Sequence, residues 1–424
     1  MILLFASLAV LLLIGVPVFV AIGGAAAIYI VANGIPPLIV AQQMVSGIDS
    51  FPLLAVPFFI LAGNLMNAAA ITDRLFAFAR CLVGHLRGGL GHVNILASVI
   101  FSGMSGAAVA DAGGLGTVEL KAMKAQGYDT PFAVGVTAAS STMGPIIPPS
   151  LAMVVYGVTA SASIGQLFVA GIVPGLLMAL SLHGLVWFLA RRRNYPRDPR
   201  ASLADLRRSL GQSAFALVMP LLIIGGIVGG ITTPTEAAVV AVAYAVLIGA
   251  VVYRSLTLTG FVTVLRETFE TTAVVMIMVA SSALFGWVLV REGVARTFSA
   301  ALLSVADGPM EAMLVLLVIL FVVGMFMETI AAIVLLTPIF LPVLGIYGID
   351  PVQFGVVMVL NLMIGLMTPP VGLLLFVMSR LSGLDLMQTF RATLPFMLPL
   401  LVVLLAVAFV PALSLTLPGL LFPR

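Results

Sequence analysis

The sequence predicts an all-α polytopic membrane protein built from inverted structural repeats, with two re-entrant helical hairpins and two broken helices. Three observations predict this class. Of 424 residues 62% are hydrophobic and 8% charged, so most of the chain cannot face water. Apolar runs of about 20 residues recur from end to end without the two-residue alternation of a barrel strand, so the spans are helical. Finally, punctuation residues recur at one spacing. Gly144 and Gly365 stand 221 positions apart, and that offset carries Pro148-Pro149 onto Pro369-Pro370, Gly103-Met104 onto Gly324-Met325, and Gly127 with Asp129 onto Gly348 with Asp350. It also carries Pro174 onto Pro395 and Asp49 onto Glu270. Chance matches of Gly and Pro would scatter over many offsets, so a constant one argues for a duplicated unit.

Taken in order, the first apolar run, 2–32, is too long for a signal-peptide core and lacks a basic leader and a small-residue exit, so it reads as a retained span. Further spans are expected near 51–70, 131–158, 166–190, 214–230, 235–253, 271–290, 351–379 and 392–413. The pieces near 36–47 and 256–270 are amphipathic and read as helices lying along the interface. Two segments remain, about 91–120 and 309–341. In each, a helix must meet a polar or Gly-rich tip, "FSGMSGAAVADAGGLG" or "VGMFMETIAA", and leave on its own side for the parity of spans to work. Irregular backbone at that depth is tolerated only where it is buried in protein or lines a wet cavity, so the tips should face an interior site. The span at Glu236 opens "TTPTEAA", with Thr233 at the N-cap, Pro234 at N1 and Glu236 at N3. That is a complete capping box, and it accounts for Glu236 better than a substrate or proton role does.

Charge gives the orientation. The net charge of +3 does not form a nucleic-acid footprint, because the basic residues follow membrane rules. Seven arginines fall in "RRRNYPRDPRASLADLRRS", which should be a cytoplasmic linker over 191–213. It separates a first repeat, 1–190, from a linking span and second repeat, 214–424. In the first repeat 72–90 and 121–129 carry Lys or Arg while 34–50 and 157–165 carry none. In the second the equivalents reverse, with 342–350 bare and 254–270 and 380–391 basic, so the copies are inverted. Arg291 and Arg296 disagree locally, partly balanced by Glu292. Cys81 is the single cysteine, which excludes an internal disulfide, and His85, His92 and His183 lack ligand spacing, which favours packing roles over a metal site.

The prolines raise a chemical question. Within a helix, Pro148 frees the carbonyl of Gly144 and Pro149 that of Pro145, and Pro369 and Pro370 do likewise to Gly365 and Leu366. Freed carbonyls at mid-membrane can take a dehydrated cation, helped by the negative end of a half-helix and by the hydroxyls of Ser102 and Ser105. The alternative is a kink re-satisfied by a neighbouring Ser or Thr. Two breaks at symmetric positions, each paired with a hairpin, favour ion binding. Asp111 and Glu328 are rare mid-membrane acids, so substrate contact and hairpin-stabilising hydrogen bonds are both open to them. Ser140, Ser141, Thr142 and Asn361 flank the breaks and are candidates for substrate contact.

"SGMSGAAVADAGGLGT", "GPIIPPS", "GLMTPPVG" and "TPTEAA" together resemble the large membrane subunit of the tripartite ATP-independent periplasmic (TRAP) transporters, over essentially the whole chain. The resemblance implies a sodium-coupled importer of organic acids in the bacterial inner membrane, working as an elevator. It also implies a small four-helix membrane subunit and a periplasmic binding protein as partners. By the same resemblance one sodium sits among Ser102, Ser105, Gly144, Ile147 and Pro149, and another among Gly324, Met327, Gly365 and Thr368. Sodium would be the coupling ion and no cofactor is expected.

Rival classes lack their residues. There is no Gly-rich phosphate loop for an ATP-driven pump, and no paired aspartates, Ser-His pair or H-E-x-x-H for an intramembrane protease, so an enzyme is not expected. A stand-alone sodium/divalent-anion symporter, which shares inverted repeats and hairpins, is the alternative.

Overall fold

The computed structural model describes residues 1–69 and 71–422, and every regular element among them is helical. Seven of these helices are long and apolar enough to cross a membrane. The last residue of the span expected at 51–70 lies outside the described residues.

The run expected as one span at 2–32 is instead two helices, α1 (Ile2–Leu13) and α2 (Val18–Ala32). Gly15 at φ +81° and Pro17 divide them, because Pro17 lacks an N–H and disfavours helical backbone at the residue before it. α3 (Leu38–Ile48) follows, and a 3-10 turn at Phe51–Leu54 leads into α4 (Ala55–Ala68). An amphipathic helix not foreseen, α5 (Ile71–Val83), buries Ile71, Leu75 and Phe76 while Arg80 stays half-exposed.

The first hairpin comprises α6 (Gly89–Ser105), α7 (Ala108–Gly113) and α8 (Leu115–Ala125). Then α9 (Thr130–Ser141) and α10 (Leu151–Thr159) flank the first break, and α11 (Ile164–Arg193) follows. The basic linker is shorter than expected. α11 runs to Arg193, and α12 (Leu203–Val228) begins early because Ser202 and Asp205 form a reciprocal capping box. α13 (Pro234–Leu247) starts on the expected box, with Thr233 N–H donating to Glu236 Oε2 at 2.7 Å, and runs into a π-helical turn at Ile248–Val252.

The piece expected at 256–270 does not stand apart from the next span. Both belong to α14 (Leu258–Arg291), whose 34 residues extend about 51 Å. Residues 261–285 contain neither Gly nor Pro, and Arg266 pairs with Glu270 one turn on at 2.9 Å, so nothing divides the helix. After α15 (Val294–Leu303), the second hairpin is α16 (Pro309–Gly324) and α17 (Thr329–Tyr347). The second break lies between α18 (Pro351–Gly365) and α19 (Leu373–Ser382), and α20 (Leu386–Phe409) and α21 (Ala412–Leu421) close the chain. α9 and α18 start alike. Asp129 and Asp350 are N-caps whose carboxylates accept from Phe132 N–H and Val352 N–H, each followed closely by a proline.

Packing sorts the helices into two groups. α2, α3 and α4 pack on α14, α1 packs on α2 and α13 on α4, with α12 beside α5 and α13; a core of Leu4, Ile22, Tyr29, Phe285 and Leu289 ties α1 and α2 to α14. The hairpins, the broken helices, α11, α20 and α21 pack on one another. His92 and His183 stack at 5.0 Å between ring centroids, joining α6 to α11 in a packing role.

The strap at 194–202 is pinned at one end of both groups. Arg80 grips Asp198 through two hydrogen bonds of 2.7 and 3.0 Å, Gln126 donates to the same carboxylate, and Tyr128 hydroxyl donates to Pro196 carbonyl at 3.0 Å. The Arg80 guanidinium holds the Asp198 carboxyl below its ordinary 3.8, so this contribution is present above about pH 4 and lost as pH falls through the lowered folded value. Because Arg80 is half-exposed, Asp198→Asn should cost at most about 1 kcal/mol at pH 7, with the difference from wild type shrinking in melts as the pH is taken below 3.8.

A cavity between two hairpin tips and two broken helices

The first hairpin turns at Gly106, whose φ of +61° only glycine adopts without strain. This tip lies against the first break. A Cβ on Gly106 would sit 2.7 Å from Pro149 carbonyl oxygen, and one on Gly144 would sit 2.7 Å from Asp111 Oδ2. Asp111 is buried; its Oδ1 accepts from Ser105 hydroxyl, while its Oδ2 has no donor.

The second hairpin makes a tighter contact with the second break. A Cβ on Gly365 would stand 2.7 Å from the carbonyl carbon of Gly324 and 2.8 Å from its Cα. Val371 and Gly372 N–H groups donate across to Met325 carbonyl at 3.2 and 3.3 Å. The Pro148–Pro149 and Pro369–Pro370 peptide bonds are both cis.

All four pieces line one cavity of about 90 Å³. Gly106 and Ala107 come from the first tip, Pro145 and Leu151 from the first break, Glu328 and Thr329 from the second tip, and Met363 and Leu366 from the second break. Glu328 also caps α17, accepting from the N–H groups of Ile330 and Ala331 at 2.8 and 3.2 Å.

The fate of the carbonyls corrects the simplest reading of the prolines. Pro145 carbonyl accepts from Ser150 hydroxyl at 2.5 Å, the re-satisfied kink. Gly365 carbonyl accepts from Thr368 N–H, and Leu366 carbonyl from Leu374 N–H. Of the four expected to be free, only that of Gly144 is left without a donor among the described residues. Others join it: among the described residues no N–H or hydroxyl donates to the carbonyls of Ile147, Pro149, Gly324, Met327 or Thr368. Two clusters of acceptors therefore lie at the breaks and tips, the first beside the Asp111 carboxyl.

The family model described as "Tripartite ATP-independent periplasmic transporter, DctM component" matches residues 5–413. The chain belongs to this family. The sialic acid TRAP transporter large permease SiaM of Vibrio cholerae is 48% identical, covering 97% of this chain and 96% of that protein. The C4-dicarboxylate large permease DctM of Pseudomonas aeruginosa is 40% identical over 88% of this chain and 87% of its own length. The 2,3-diketo-L-gulonate large permease YiaN of Escherichia coli is 38% identical over 88% of both. Among solved structures, the Alcanivorax borkumensis YdaH transporter superposes with a TM-score of 0.60 at 15% identity, over 90% of this chain and 88% of that one, a likeness of fold. As a TRAP large permease the chain is a multi-pass inner-membrane transporter subunit and not an enzyme, and a tripartite family weighs against the stand-alone symporter.

In this TRAP permease, not every residue singled out in the sequence reaches the cavity. Ser140, Ser141 and Thr142 are buried at the end of α9, donating to Asn94 Oδ1, Thr137 carbonyl and Ala139 carbonyl. Asn361 donates to Leu317 carbonyl at 2.8 Å and lines an apolar groove between α16, α18 and α20. Ile147 turns its side chain onto Gly175 of α11, leaving its carbonyl to the break. One network was missed. Asn94 donates at 2.7 Å to both Glu119 and Thr137, holding the buried α6, α8 and α9 together. An amide within the apolar first turns of α6 and a buried acid in α8 are the signal that could have found it.

Proposed function

We propose that this TRAP permease imports an organic acid together with sodium, the acid being handed over by a periplasmic binding protein. A small four-helix membrane subunit completes the scaffold, and the hairpins and broken helices move as a block. The observation that carries the reading is the clustering of donorless carbonyls at two hairpin–break contacts around one cavity. Hard oxygen ligands at the ends of half-helices suit an alkali cation. Ser102, Ser105 and the carbonyls of Gly144, Ile147 and Pro149 make the first sodium site, with the Asp111 carboxylate against it. The carbonyls of Gly324, Met327 and Thr368 make the second, joined by Gly365, whose carbonyl keeps a second lone pair beside its bond to Thr368 N–H. The substrates named for the relatives, sialic acid, C4-dicarboxylates and 2,3-diketo-L-gulonate, are all carboxylates, which supports an organic acid here. The 221-residue offset and the reversed distribution of Lys and Arg support inverted repeats.

Uptake by the complete transporter in proteoliposomes should require an inward sodium gradient and, for a monoanionic substrate, move net positive charge, since more than one sodium accompanies it. Transport at full rate in potassium buffer, or on a proton gradient alone, would remove the sodium reading.

A further inference from the structure

Beside the strap, a cleft of about 480 Å³ opens between the α5–α6 loop and residues 197–200, with His85, Arg87, Arg197, Asp198 and Arg200 on its walls. Arg87, Arg197 and Arg200 make no ion pair among the described residues. Asp198, the acid in the wall, is already neutralised by the two-pronged grip of Arg80. The cleft therefore carries an uncompensated positive charge. Its shape is fixed by the chain itself, because Asp198 N–H donates to Gly84 carbonyl at 3.0 Å and ties the strap to the loop.

The neighbouring helix end fixes the depth of this cleft. Trp187 and Phe188 are 50% and 46% exposed on the last turns of α11. Arg191 and Arg192 fold back over their rings at 4.8 and 4.6 Å. An aromatic pair topped by arginines marks the headgroup level of a bilayer, and the strap begins immediately after it. Guanidinium groups match phosphate oxygens in charge and in forked geometry. We propose that this cleft binds the phosphate of an anionic lipid headgroup at the rim placed in the cytoplasm by the arginine distribution.

The test titrates phosphatidylglycerol into phosphatidylcholine bilayers holding the full chain and follows its melting temperature. Wild type should gain stability saturably. Arg197→Gln and Arg200→Gln should each raise the half-saturating lipid fraction about fivefold while melting normally in phosphatidylcholine alone. Arg207→Gln with Arg208→Gln, outside the cleft on α12, should leave the titration unchanged, and inorganic phosphate in phosphatidylcholine should give no gain. The proposal is overturned if the cleft variants titrate like wild type, if the α12 pair shifts the curve as far, or if inorganic phosphate reproduces the gain. Should either strap variant melt low without the lipid, Arg87→Gln on the opposite wall takes its place, with the same fivefold expectation and the same contrary result.

Discussion

Gly365→Ala is expected to abolish uptake while the protein still inserts into the membrane. The added methyl would meet three backbone atoms of Gly324, its carbonyl carbon, Cα and oxygen at 2.7, 2.8 and 3.0 Å. Backbone cannot rotate aside as a side chain can, so α16 and α18 must separate. Separation also pulls Met325 carbonyl from the Val371 and Gly372 N–H groups that now reach it. Overpacking of this kind costs about 1–3 kcal/mol, which a large helical membrane protein survives, whereas the proposed oxygen cage would lose its geometry once the Gly324 backbone is pushed aside. Gly144→Val makes the matching test at the first break, where its bulk would meet Asp111 and the Ala107 backbone. Uptake by either variant at the wild-type rate and sodium dependence would show that the close hairpin–break contact is dispensable.

The second large effect is expected for Asp111→Asn. The wild-type carboxyl has one oxygen held by Ser105 and one with no donor, turned toward Gly144 and buried from water. Asparagine keeps the size and an acceptor for Ser105 but removes the charge. If the free oxygen faces a cation, losing a charge-assisted contact of about 1.5–3 kcal/mol should raise the half-saturating sodium concentration some 10- to 100-fold. Ser105→Ala, which leaves the carboxylate in place, should cost less than its neighbour. The measurement is the sodium dependence of initial uptake; an unchanged dependence in Asp111→Asn would reduce Asp111 to a group that holds the hairpin tip in shape.

The features legible in the sequence are those written in backbone chemistry. Gly144, Pro148 and Pro149 constrain the chain wherever they stand, so the breaks are legible in the sequence itself. The Thr233–Glu236 box was legible for the same reason, since its partners are three residues apart. Continuous apolarity misled at α1 and α2, where Gly15 and Pro17 outweigh a run of hydrophobic residues. Amphipathic pattern misled at 256–270, because polarity marks where water lies and not where a helix ends. What the sequence could not give is pairing at a distance. That Ser150 turns back to Pro145, that Asn94 finds Glu119, and that Asn361 faces Leu317 depend on rotamers and helix packing that no local pattern encodes.

The central claim, that the breaks hold sodium, is tested most directly by sodium-dependent stabilisation of the purified chain, with potassium replacing sodium at constant ionic strength. Wild type should melt higher in sodium than in potassium, saturably. Thr368→Ala removes a hydroxyl that bonds Ile364 carbonyl at 3.0 Å, and leaves both prolines and the helix interruption in place. It should melt normally in potassium and need several-fold more sodium for the same gain, the effect of losing a contact of about 1 kcal/mol. Equal stabilisation of wild type by potassium, or an identical sodium response in Thr368→Ala, Gly365→Ala and Asp111→Asn, would contradict the account and leave "MGPIIPPS" and "GLMTPPVG" as bends in two helices.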